Sequence, residues 1–562
     1  LSPRHGQIRP TQVWSTASVI TADIAGVVQP ARPQSSIEDR TTGPFAHTVV
    51  GAGRPTNRSP LLRTLPDTAP TPHPEVPPVT ILSALQQPTL SASDRHLVRR
   101  FSYGLNDTVA AQVRAAGGGR AWFQQQLDPA AVPDDSGRAV DGWFPTLQLT
   151  PYEMWARYKN NRSMSSSILA DELSRWTLAR RTVSQRQVLE VMTEFWSNLL
   201  HAAAPNDNCW VHRKNYDSVI RQHALGRFTT LLSSAITHPA MLLYLDNYAS
   251  TNKAPNENLG REVLECHTVG RETAYTEADV ASSTRILTGW AVDRGNSWKP
   301  SYNASGHATG PVSVLGFKDA NASKDGRATT FRYLEYLARH PATARRVARA
   351  LVRRFVSDTP PASIVNDVAA AFVSSGTDIK FTLRTLVNHP EFRAASRPKV
   401  RTPTEDFVAT TRALHVTLRR PATAADFANK SIWMSMDMGQ RPFNWPTPDG
   451  FPDAGDAWSS ATRMLGSWTV HQAMASGFPA AGATYRSPQS WVPDLPARFD
   501  VVVNRLCGRL LFEPPTTDMV AAACASVGLQ RDDVITAGHP LMTERLPLLL
   551  ACLLDSPLHM KR

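Results

Sequence analysis

One predicted helix carries the chain's densest combination of reactive side chains. Within PNENLGREVLECHTVG, Asn256 or Glu257 can begin a helix that ends at Gly270. A 3.6-residue period then places Asn258, Arg261, Glu262 and Glu265 on one face, with Leu259, Val263 and Cys266 on the neighbouring apolar face. In a cleft, Glu262 and Glu265 can bind a divalent cation or act as acid and base. On a solvated face, Arg261 and Glu265 form only an i,i+4 pair worth a few tenths of a kcal/mol. His267 points away from the carboxylates on this period, so the E-x-x-E-x-H string is not a one-face metal site.

Two more histidines are catalytic candidates. His201 ends the MTEFWSNLLH segment, where an imidazole can also serve the helix dipole, and His307 lies in the GHATGPVSVLG loop. Downstream of the acidic helix, Thr276 and Asp279 have the spacing of a capping box, which gives Asp279 a structural task. Tyr275 and Trp290 flank that segment as core anchors or ligand platforms. The stretch 344–355 places Arg346, Arg349 and Arg353 on one face and Val347, Leu351 and Phe355 near another. That pattern describes a solvated amphipathic helix or a phosphate or sulfate site. In MGQRPFNWPTPDGFPDAGDAW, Phe443, Trp445, Phe451 and Trp458 stand among prolines and glycines. They read as a rigid cap over the core or as a platform on which sugar rings stack.

Many ordered segments carry a family resemblance. They include HLVRRFSYG, FWSN, HPAMLLYLDN, NENLGREVLECHTVG, YTEADV, LTGW, HPATARRVARALVRRFVSD, KVRTPTEDFV and GQRPFNWPTPDGFP. In this order they resemble the bacterial domain of unknown function 1800 family, from about Asp94 to the C-terminus. The resemblance implies a helical protein, often exported or in the cell envelope and often encoded beside a sulfatase-like protein; it implies no established reaction. It also favours a functional role for the acidic helix, adding Asn256, Glu257, Asn258, Arg261, Tyr275, Asp279, Trp290 and Trp445 as binding candidates. After the position of His307 the family usually has an acidic residue and then a lysine, whereas this chain has Ala308 and Val312.

The elements that must position these residues are helices. Apolar residues at helical spacing recur at 153–178, 185–201, 216–236, 258–269, 277–288, 329–340, 342–356, 362–374, 379–387 and 404–416, then at 457–475, 496–506, 516–526 and 545–553. Ser93 or Asp94 can cap the first ordered helix. Long alternating β-branched runs are missing, so the predicted class is mainly α with a small hairpin near 309–317. Residues 1–87 are rich in Pro, Thr, Ser and Arg and read as a disordered arm. Residues 88–562 read as a helical domain with a lobe boundary near 300–330, since 562 residues exceed one ordinary core.

A formal charge of +12 raises the question of a nucleic-acid partner. The excess is spread along the chain without interleaved aromatics or a recognised binding signature, which argues against one. Five separated cysteines contain no C-x-x-C pair. The longest apolar run, LPLLLACLL, is half of the ~20 residues a membrane helix needs. No basic segment followed by an apolar stretch opens the sequence, which leaves the compartment open.

Two functions are expected from these residues. The first is an envelope-associated hydrolase or transferase acting on a glycan or anionic polymer, with Glu262, Glu265, His201 and His307 as its candidate groups. The second is a non-catalytic scaffold or polymer-binding protein with a polysaccharide or a sulfatase-like partner.

Overall fold

In a computed structural model, which describes residues 90–395 and 399–562, helices begin where the sequence supplies a cap. The first runs Ala92–Phe101 and is capped by Ser91, whose hydroxyl accepts from the Asp94 amide, rather than by Ser93 or Asp94. Asp94 is used elsewhere, its carboxylate accepting from the Gly119 amide at 2.6 Å. Complete capping boxes open the helices Pro151–Asn161, Glu277–Leu287 and Pro403–Ala413, pairing Thr150 with Glu153, Thr276 with Asp279 and Thr402 with Glu405.

Three expected helices are divided. The 153–178 segment breaks at Arg162, which has φ +57°, into Pro151–Asn161 and Ser166–Val183. The 216–236 segment becomes Arg213–His223 and Phe228–Ile236 around Gly226. The acidic helix is α-helical only over Glu257–Glu262 and continues as a π-helical turn, Val263–His267. This wider turn breaks the 3.6-residue register on which a shared face for Glu262 and Glu265 depends.

The protein is mainly helical. Among the described residues, strands occur only as four two-stranded antiparallel ladders. One is the expected hairpin, Val312–Val314 against Phe317–Asp319. Its two-residue turn puts Leu315 at φ +47° and Gly316 at φ +93°, the conformation a tight hairpin demands. The Leu315 amide donates to Asp279 Oδ1 at 2.9 Å, fixing the hairpin to the 277–287 helix.

The described residues belong to one compact unit. The 300–330 stretch lies within it, and Val312, Val314 and Phe317 join the common buried core. The reading of 1–87 as an arm lies outside the described residues. At the centre, Phe101 stacks on Phe355 at 4.1 Å between ring centroids, so the first ordered helix packs against the end of the arginine-rich helix Pro341–Phe355. The LPLLLACLL run forms the nine-residue helix Leu546–Leu554, with Leu546, Leu549, Leu550, Leu553 and Leu554 buried. No helix among the described residues is long and apolar enough to cross a membrane.

A candidate anion-binding cleft

Four of the segments singled out in the sequence meet at an open cleft of about 920 Å³. One wall is the 341–355 helix. It starts at Pro341, whose preceding His340 accepts from the Ala342 amide, and its buried edge of Val347, Leu351 and Phe355 anchors it to the core. Its opposite edge turns Arg345, Arg346, Arg349 and Arg353 towards the cleft. Arg346 donates from Nη2 to the Cys266 carbonyl at 2.7 Å. Arg349 lies 3.1 Å from Glu272. Arg345 and Arg353 are exposed and have no carboxylate within ion-pair distance among the described residues.

The facing wall is the loop containing RPFNWPTPDGFPD. The Asn198 side chain, at the end of the Gln187–Leu199 helix, clamps it by donating to the Phe451 carbonyl and accepting from the Phe451 amide, each at 2.7 Å. Gly450 has φ +74°, and a Cβ there would collide with the Asn198 carbonyl, so glycine is required for this approach. Trp445 lines the cleft with its ring centroid 5.2 Å from that of Phe451, and its indole N–H donates to Asp449 at 3.2 Å. Trp458 is buried behind Phe451 and donates to the Pro452 carbonyl.

The floor is a buried ion network. Arg354 bridges Glu405 at 2.7 Å and Glu194 at 2.8 Å, and Arg181 binds Glu194 at 2.8 Å. Tyr103 donates its hydroxyl to Glu194 at 2.9 Å, and Arg562 adds a second cation 3.3 Å from Glu405. Burial opposes the charge on Glu405, but Arg354, Arg562 and the Thr402 amide bring its carboxyl down to about 2. The floor therefore has its charges satisfied internally, whereas the exposed edge of the arginine helix does not.

The proposed acidic face does not assemble as one unit. Glu265 lines the cleft, while Glu262 is not among the lining residues. Glu265 accepts from the Tyr275 hydroxyl at 2.6 Å and from Arg271 at 3.0 Å. Partial burial opposes its ionisation, yet those two donors hold it below the usual carboxylate range. Glu262 sits beside Cys266, whose thiol burial and that carboxylate push up to about 12; the Glu262 Oε2 is buried without a hydrogen-bond partner. Asn256 caps the short helix by accepting from the Asn258 amide. Glu257 pairs with Arg261, which also reaches Glu277 at 2.6 Å.

His201 does reach the cleft. Burial holds its imidazole down to about 4, and Nε2 lies 2.9 Å from the Trp445 carbonyl, so the neutral ring donates there and braces the loop. His267, also kept near 4 by burial, uses Nδ1 on the Leu199 carbonyl at 3.1 Å and leaves Nε2 buried without a partner. His307 is outside the cleft lining, with Nδ1 2.9 Å from the Thr288 carbonyl and Nε2 2.9 Å from Asn321 Oδ1. Asp279 is engaged in its capping box, and Trp290 donates to Thr330 at 3.1 Å. Neither residue lines the cleft.

Sequence reasoning missed Arg354, whose partners Glu194, Glu405 and Asp453 are far away along the chain, the Arg181 and Glu194 pair that joins it, and Thr404 and Gln440. The last two bond each other at 3.0 Å. The GQRPF and PTED strings held no local signal for that pair, since Thr404 stands beside Pro403 and Glu405, and Gln440 beside Gly439 and Arg441, among other polar residues.

No curated protein and no solved structure was found to match this chain. The model of a family described as protein of unknown function (DUF1800) matches residues 96–560, almost all of the described fold, and the chain belongs to that family.

Proposed function

We propose that the cleft binds an anionic polymer, a glycan carrying sulfate, phosphate or carboxylate groups. The observation that carries this reading is the row of Arg345, Arg349 and Arg353 along the cleft wall, two of them without a carboxylate partner among the described residues. Guanidinium groups recognise such oxyanions through paired N–H donors. Trp445 and Phe451 on the facing wall supply aromatic surface for sugar rings. A sulfated polymer also suits the sulfatase-like partner and envelope setting expected from the resemblance.

A second reading makes the protein a hydrolase or transferase on that polymer. It is favoured by Glu265, an ionised carboxylate in the cleft wall with the Tyr275 hydroxyl 2.6 Å away. Such a carboxylate can act as a base or a nucleophile.

Retention of the full chain on immobilised polysaccharides tests the binding reading. Sulfated or phosphorylated polymers should retain it and salt should elute it, whereas neutral polymers should not. Trp445→Ala should weaken retention without changing the charge. Equal retention on neutral and charged polymers, or none on either, contradicts the proposal. Release of sulfate, phosphate or new chain ends, abolished by Glu265→Gln at an unchanged melting temperature, would establish catalysis; binding without turnover leaves a polymer-binding protein.

A further inference from the structure

We propose that Asp406, His471 and His559 form a binding site for a first-row divalent cation of the zinc class, separate from the arginine-lined cleft. They come from three helices: Asp406 from the first turn of Pro403–Ala413, His471 from Ala461–Ala475 and His559 from Pro557–Met560. All three are buried, and each offers one donor atom within 4.8 Å of the other two. Asp406 Oδ1 lies 3.3 Å from His471 Nε2 and 3.6 Å from His559 Nε2. A tetrahedral ion with bonds of ~2.0–2.1 Å spaces its ligands by ~3.4 Å, so the two measured separations already fit one. Two imidazoles and one carboxylate suit zinc and its first-row neighbours, whereas calcium and magnesium prefer oxygen-only sets.

The surrounding contacts orient these donors. His471 Nδ1 lies 2.7 Å from Asp555 Oδ1, so that nitrogen donates outward and Nε2 is directed at Asp406. A histidine ligand held by a carboxylate on its other nitrogen is the usual support of a protein-bound metal. Arg463 and Ser467 donate to Asp406 Oδ2 at 3.1 and 2.9 Å, leaving Oδ1 for the two imidazoles. Thr410 Oγ1, 2.9 Å from His559 Nε2, offers a neutral oxygen for the fourth position. Both ring nitrogens of His471 face carboxylates, so an ion at Nε2 would stand where the Nε2 proton otherwise bridges to Asp406. Asp406 follows Glu405 and Thr404, which belong to the cleft floor and lining, so the ion would tie the base of the cleft to the C-terminal helix.

The test uses the full chain, stripped with a chelator and dialysed into metal-free buffer. Titration with cobalt or zinc should load a single equivalent per chain, give the intense visible band of tetrahedral cobalt and raise the melting temperature by several degrees. His559→Gln should lose the band. Asp555→Asn, which leaves all three ligands in place, should weaken binding roughly 10–100-fold. If the histidine variant does not fold, anomalous scattering at the zinc edge from wild-type crystals should place the ion among Asp406, His471 and His559. Absence of stoichiometric uptake by the stripped chain, an ion located elsewhere, or a folded His559→Gln that keeps the cobalt band would overturn the proposal. The contacts would then be those of a protonated His471 held between two carboxylates.

Discussion

Arg353 and Arg354 are neighbours on one helix and live in opposite environments. Arg354 is buried between Glu405, Glu194 and Asp453, each within 3.4 Å. Arg353 is exposed on the cleft wall with no carboxylate partner among the described residues. Helical geometry separates consecutive side chains by about a quarter turn or more, so a single step along the chain moves a guanidinium from the floor to the wall. The comparison separates two uses of arginine. Arg354 neutralises buried carboxylates and holds the floor together, whereas Arg353 leaves its charge available to something outside the protein.

The largest expected effect comes from breaking the floor. Arg354→Met removes the cation while Glu405 remains buried and Glu194 half-buried, and it should cost about 3–5 kcal/mol of stability in a denaturant titration. A loss below about 1 kcal/mol would show that the floor is not held by these pairs. Gly450→Ala should rank next at about 1–3 kcal/mol, because it forces an alanine into positive φ against the Asn198 carbonyl. It should also weaken polymer retention by displacing the Trp445 loop, and thermal melts together with retention report both effects.

Acid sharpens the same contrast. The Glu405 carboxyl is depressed to about 2 from an ordinary value of 4.5. A depressed carboxylate contributes stability that is complete above the unfolded value and lost as pH falls through the folded one. The melting temperature should therefore fall between about pH 4.5 and 2, and Glu405→Gln should flatten that part of the profile while lowering the plateau above it. An unchanged slope in this variant would remove Glu405 from the acid response. The smallest effect belongs to the wall: Arg349→Gln, which breaks the exposed pair with Glu272, should change stability by less than about 0.5 kcal/mol.

The helical class was readable from spacing and caps, as at Thr276 and Asp279, where two residues three positions apart decide the local structure. Divided helices were less readable. The break at Arg162 and the π turn at Val263–His267 occur inside sequences whose local pattern continues a helix. The wall arginines Arg346, Arg349 and Arg353 were visible because they share one helix face. Arg354 was not, since its partner Glu405 lies more than fifty residues away and only folding brings the two together. The Asp406 cluster was hidden for the same reason, its ligands coming from helices distant in sequence. Pairing Glu262 with Glu265 depended on a regular 3.6-residue helix, and the wider turn between them sends only Glu265 to the cleft.

The most direct test of the central claim is the affinity of a sulfated polysaccharide for the wild-type chain and for the Arg345→Gln, Arg349→Gln, Arg353→Gln triple variant, measured by calorimetry across a range of salt concentrations. Ion pairing predicts affinity that falls with salt in the wild type, with a drop of at least tenfold and a shallower salt dependence in a triple variant whose melting temperature is nearly unchanged. Equal affinities and equal salt slopes for the two proteins would contradict the assignment of the cleft wall as the anion-binding surface.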